Sequence, residues 1–171
     1  FLLVMLFVLP IDLLFQHLTR GENSLLLYQQ FLTWILYVIQ SSLGIEVYIR
    51  GENSTILAYA DIIDMEIVAE CSGLHETVFL SLLVLCFRGV KPMVRAKWAI
   101  YSAFFIFVEN LIRILSGYYL INIYDFSTWD KFHYFWWHTG QYALIMGVFV
   151  LWVMTIAGKP ENKSVKKNFT R

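Results

Sequence analysis

The sequence predicts an all-α polytopic membrane bundle of about five spans with a small extracytoplasmic β-ribbon. Three observations carry that expectation. Of the 171 residues, 58% are hydrophobic and 18% aromatic, against about 45–50% apolar in an ordinary soluble domain. The apolar residues are gathered into runs instead of being spread at core periodicity, and the mean hydropathy is +0.60. The formal net charge is zero, yet the charges are segregated by segment. A net charge of zero exerts no bulk pull on nucleic acid, which is not expected as a partner.

Five apolar segments follow one another at 1–18, 25–43, 72–88, 98–120 and 134–157. A helix needs about 20 mostly apolar residues to span a bilayer. The last two segments meet this easily, and the third is short. The first carries Pro10 and Asp12, which suits a kinked, tilted or interfacial helix. The chain begins at Phe1 with no basic n-region, so 1–18 reads as a membrane segment and not as a cleaved leader. Segment 44–70 is too polar to span and too long for a turn. Val47–Arg50, the turn Gly51–Ser54 and Thr55–Ala60 read as strand, turn and strand. Met65–Glu70 alternates and reads as a third strand leading to Cys71. The string Arg-Gly-Glu-Asn-Ser occurs at 20–24 and again at 50–54, but its flanks differ, so it marks no repeat architecture. One domain is expected over 1–157, with 158–171 as a basic tail.

Lysine and arginine placement orients the bundle. Arg88, Lys91, Arg95 and Lys97 lie in loop 88–97, and Lys159, Lys163, Lys166, Lys167 and Arg171 in the tail, against Glu161 alone. These regions are expected on the cytoplasmic side. Segment 44–70 holds six acids against Arg50, and loop 124–133 holds Asp125 and Asp130 against Lys131, which puts both outside. Cys71, Arg113 and His138 then reach the same extracytoplasmic membrane face.

A thiol, a guanidinium and an imidazole are the parts of a cysteine transpeptidase or protease. Cys71 sits where an apolar helix begins. Ser72 is placed to cap it, Gly73 permits close backbone approach, and the helix N-terminus would favour the thiolate. The plain alternative is a small apolar residue at a strand–helix junction. Arg113 lies about 22 Å along the span from Trp98 at 1.5 Å per residue, where an arginine requires a partner or a polar cavity. Glu109 and Asn110, one turn earlier, supply the structural alternative of a local pair. His138 is placed as general base and acid, with His133 and His75 as rivals; its plain reading is an interfacial residue in the aromatic stretch Tyr134–Trp137. Cys86 lies deep in an apolar run and pairs poorly with Cys71. No Cys-x-x-Cys or other metal spacing occurs, and neither metal nor organic cofactor is expected.

Taken in order, Cys71-Ser72-Gly73 opening one span, Asn110-Leu111-Ile112-Arg113 near the end of the next, and His138 opening the one after resemble the exosortase/archaeosortase family, over roughly 44–157. The strand region before the cysteine is similar as well. His75 and Glu76 after the triplet, and the presence of both His133 and His138, depart from the family pattern. The histidine role is carried to His138 because it is nearer the Gly140-Gln141 opening of the last span. The resemblance implies a plasma-membrane cysteine protease or transpeptidase acting on the extracytoplasmic face. Its partners would be secreted proteins ending in a sorting motif, an apolar span and a basic cluster, together with a lipid, an amine or water as acceptor. The rival reading is a non-catalytic membrane scaffold or assembly partner for export of surface protein or polysaccharide.

Overall fold

The computed structural model describes residues 2–19, 25–59 and 63–157. The basic tail 158–171 and the first Arg-Gly-Glu-Asn-Ser copy at 20–24 lie outside the described residues. The chain is mostly helical and carries one small antiparallel sheet. Its elements are α1 (Leu2–Thr19), α2 (Leu26–Ser42), β1 (Val47–Arg50), β2 (Ile56–Tyr59), β3 (Ile63–Glu66), α3 (Leu74–Cys86), α4 (Pro92–Ile123), α5 (Phe126–Phe135) and α6 (Gln141–Trp152). A 3-10 turn at Ala69–Ser72 joins β3 to α3. A π-helical turn at Trp136–Gly140 joins α5 to α6, and a second, Val153–Ala157, follows α6.

Among the described residues, α4 and the continuous run Phe126–Ile156 are long and apolar enough to cross a membrane. Helix α3 has 13 residues, about 20 Å at 1.5 Å per residue, and is shorter than a lone span requires. Helix α4 starts where proline is best tolerated, at its first turn. The Arg95 guanidinium donates to the Leu85 carbonyl at the end of α3, satisfying a carbonyl that the helix leaves open. Two expectations are corrected here. Residues 124–133 are not an open loop: Asp125 caps α5 by accepting from the Thr128 N–H at 2.6 Å, and the helix runs on into α6. The third strand is Ile63–Glu66, starting two residues and ending four residues before the expected Met65–Glu70, because the chain turns into the 3-10 segment at Ala69.

The sheet order is β1-β2-β3, all antiparallel. Two apolar clusters divide the bundle. One joins Val8 of α1, Leu80, Leu83 and Val84 of α3, Ile106 of α4, and Ile145, Phe149 and Trp152 of α6. The other sets Leu57, Tyr59 and Ile67 of the sheet region against Leu32 and Leu36 of α2 and Leu111 and Ile114 of α4. The sheet therefore covers the half of α4 that bears Arg113. Outward-facing Phe104, Ile112, Leu151 and Met154 are 61–71% exposed. Apolar surface on this scale suits lipid contact.

Candidate active site

The site begins with a tight junction. Gly73 has φ +70°, and a Cβ placed on it would lie 2.8 Å from the Asn110 side-chain carbon Cγ. Only glycine accepts both the left-handed backbone and the contact, so Gly73 lets α4 close on the Cys71 turn. Ser72 is buried in that turn, and its hydroxyl accepts from the Leu74 N–H at 3.3 Å. Ser72 thus serves the start of α3, although Gly73 is the residue at its cap.

Asn110 and Arg113 then hold the Cys71 main chain. Asn110 Nδ2 donates to the Cys71 carbonyl at 3.0 Å, and Arg113 Nη2 donates to it at 3.3 Å. Arg113 Nη2 also donates to Asn110 Oδ1 at 2.6 Å. The arginine is only 8% exposed, and its Nε and Nη1 are buried without a hydrogen-bond partner. Unpaired buried donors cost folding free energy, about 1–3 kcal/mol each and more for charged groups. A site that keeps them has donors ready for an incoming acceptor.

Glu109 does not supply the local pair for Arg113. Its Oε1 accepts from Trp136 Nε1 at 2.8 Å and its Oε2 from Gln141 Nε2 at 3.1 Å. The π-helical turn explains this arrangement: five residues per hydrogen-bonded loop bring Trp136 and Gln141 to one face of the helix. Glu109 therefore locks the last helix to α4 and leaves the guanidinium to Cys71.

One cavity of about 200 Å³ collects the chemistry. Its lining includes Cys71, Arg113 and His133, with Met65 and Trp129 alongside. His133 stacks on Trp129, with ring centroids 5.0 Å apart, and continues toward Trp137 at 6.5 Å. Residues 129, 133 and 137 form one stripe at helical spacing. His138 is one residue, about 100°, further round. It packs on Tyr134 at 4.0 Å, its Nδ1 lies 3.1 Å from the Tyr134 carbonyl oxygen, and it does not line this cavity. The imidazole that lines this cavity with Cys71 and Arg113 is His133, not the sequence-favoured His138. His75 is engaged elsewhere: its Nε2 lies 2.8 Å from the Thr19 hydroxyl, and its ring meets Phe15 edge-on, tying α3 to α1.

Electrostatics at the thiol also differ from the expectation. Burial pushes the half-buried Cys71 thiol above its ordinary range, and the Arg113 charge opposes that shift without overcoming it. The 3-10 turn and Gly73 lie between Cys71 and the first turn of α3. Trp129 and Met65 were missed from sequence. Trp129 had a signal, its position one turn before His133. Gly117 had none: a Cβ there would meet Trp129 Nε1 at 2.6 Å, so this glycine admits the indole that walls the cavity. Arg113 also lines a second cavity of about 390 Å³ with Phe105, Ile112 and Phe132, on the outer side of α4.

Fold and site together define a helical membrane protein with a thiol, a buried cation and an imidazole on one cavity. The sequence model of the transmembrane exosortase family (Exosortase_EpsH) matches residues 1–155, and the chain belongs to that family. No curated protein and no solved structure matches the chain.

Proposed function

We propose that this protein is a multi-pass membrane cysteine transpeptidase, with its site on the extracytoplasmic face, that cleaves the C-terminal sorting signals of secreted proteins. The observation that carries the reading is the shared cavity of Cys71, Arg113 and His133, with two arginine donors left open. Family membership supports the class of chemistry.

Cys71 acts as nucleophile and His133 as base, with Arg113 as the oxyanion donor. Because burial holds the thiol protonated, attack requires proton removal in the same step, which is the task of an adjacent imidazole. Sulfur bonds to the scissile carbonyl carbon and the thiol proton passes to His133. The oxyanion meets the open Nε–H and Nη1–H of Arg113. Collapse breaks the C–N bond, and His133 gives its proton to the leaving amine. The resulting thioester is attacked by a lipid amine, another amine or water, whose proton returns through His133 to the sulfur. Asn110 is a positioning residue that holds the Cys71 carbonyl. The outer cavity beside Phe105 and Ile112, which are 43% and 61% exposed, suits a membrane-embedded tail lying next to Arg113.

The test is processing in cells of a secreted reporter ending in a motif, an apolar span and a basic cluster, taken from the same genome and read as a size shift. Cys71→Ala and Cys71→Ser abolish the shift at unchanged abundance, and Cys86→Ala does not. Arg113→Lys also fails, because lysine keeps the charge but loses the planar fork. Full processing by Cys71→Ala overturns the enzyme reading and favours a scaffold.

A further inference from the structure

The Cys71 cavity is bounded along one side by Ile63, Asp64, Met65, Glu66 and Ile67, five successive residues. Side chains of a strand alternate between its two faces. Five in a row can line one cavity only where the cavity runs along the strand's edge. That edge is open: β3 is the last strand of the sheet, with β2 on its other side and no further strand among the described residues.

The register shows which main-chain groups face the cavity. The Ile67 N–H donates to the Thr55 carbonyl at 2.9 Å, and the same register continues through Glu66↔Ile56, Met65↔Leu57, Asp64↔Ala58 and Ile63↔Tyr59. In an antiparallel ladder, hydrogen-bonded residues alternate with residues whose groups point away. Ile63, Met65 and Ile67 therefore bond inward to β2. The N–H and C=O of Asp64 and Glu66 point to the open edge. From Glu66 the chain reaches Cys71 in five residues.

We propose that the edge of β3 is the substrate subsite of this enzyme. The polypeptide to be cut adds to the sheet as a fourth, extended strand, pairing its main chain with Asp64 and Glu66 and delivering its scissile carbonyl to Cys71. This deepens the thiol reading above and rests on it. The occupant is an extended peptide because the open groups are alternating donors and acceptors at strand spacing, the arrangement that strand addition uses. They also lead directly to the nucleophile that the reading assigns to a peptide bond. Main-chain pairing supplies affinity with little dependence on side chains. Met65 and Trp129 in the cavity then bias the paired residues toward apolar or small side chains.

The experiment uses the full chain with Cys86→Ala, purified into lipid nanodiscs. It is treated with acetyl-tetra-alanyl chloromethyl ketone and with four versions carrying one N-methyl group on successive amides. Displacement of chloride by the Cys71 sulfur is followed by mass spectrometry, with iodoacetamide as a size-independent control. The expected result is a parity pattern. N-methylation at alternate amides slows alkylation about tenfold or more, on the scale of one lost hydrogen bond, and the intervening positions change it little. In Asp64→Pro, where the outward N–H that would donate to a peptide carbonyl is removed and the bonds to β2 are kept, alkylation by the unmethylated ketone slows about tenfold or more while iodoacetamide labelling is unchanged. The wild-type series decides by itself if that variant does not accumulate. Alkylation without parity overturns strand addition and leaves the thiol reading intact. Alkylation by the unmethylated ketone that is as fast in Asp64→Pro as without it overturns the assignment to β3. Failure of every reagent, iodoacetamide included, to label Cys71 overturns the thiol reading and the subsite together.

Discussion

Arg113 organises the site because its contacts are divided. One nitrogen holds the Cys71 carbonyl and Asn110, and two others are buried and open. A fully paired arginine would be a structural clamp; this one keeps capacity for an acceptor that is not part of the chain. The thiol beside it is held protonated by burial. A raised pKa means that the thiolate fraction at neutral pH is small and grows about tenfold per pH unit until the raised value is passed. Iodoacetamide labelling of Cys71 is therefore expected to keep rising above pH 9; a plateau below pH 7 would reveal a resting ion pair instead. The stacked imidazole gives the second expectation at this scale. His133→Ala lowers substrate processing by about 10²–10⁴-fold, the usual worth of a general base, and His138→Ala stays within about threefold. The reverse ranking, read in single-turnover cleavage, would return the role to His138.

Elements place these side chains, and several devices are visible. Gly73 lets α4 close on the Cys71 turn. The π-helical turn aligns Trp136 and Gln141 on Glu109. The sheet is anchored through Tyr59, whose hydroxyl donates to Gln40 Oε1 at 3.0 Å inside the bundle. Burial pushes the Tyr59 phenol up to about 12, so it stays a neutral donor at any working pH. Tyr59→Phe leaves the Gln40 acceptor unpaired, at a cost of about 1–3 kcal/mol, and loosens the sheet that edges the cavity. Thermal unfolding in detergent is expected to fall measurably, and an unchanged midpoint would show that the anchor is unimportant. The strand–turn–strand pattern around Gly51–Ser54 was legible, because alternation and turn residues are local signals. So were the long apolar helices, and that Arg113 needs a partner or a polar cavity, since an apolar run cannot leave a cation unserved. The choice of histidine was not legible. It depends on α5 starting at Phe126 behind its Asp125 cap, before the apolar run, which fixes the 129–133–137 face against the cavity. Nor was the role of Glu109, since a π-helical turn has no clear sequence mark.

At the scale of the whole molecule, the charge segregation supports the proposed orientation. Loop 88–97 is basic, and the sheet and its connections are acidic. The proposed orientation, with Arg88 to Lys97 inside, opens Cys71, Arg113 and His133 to the outside. Met93 is 81% exposed and Ser127 lies near the opposite end of α4, so both accept a labelling cysteine. In a chain lacking Cys71 and Cys86, an impermeant maleimide added to intact cells is expected to label Ser127→Cys and to spare Met93→Cys. The opposite pattern would invert the protein and separate it from secreted substrates. The central claim is a covalent one, that Cys71 carries the cut polypeptide. The direct measurement is mass spectrometry of the Cys71 peptide from enzyme quenched in acid during processing of the reporter. The account predicts a thioester-linked substrate fragment on Cys71, released by neutral hydroxylamine and enriched when acceptor amines are withheld. Active processing with Cys71 unmodified throughout, or an adduct confined to Cys86, would contradict it.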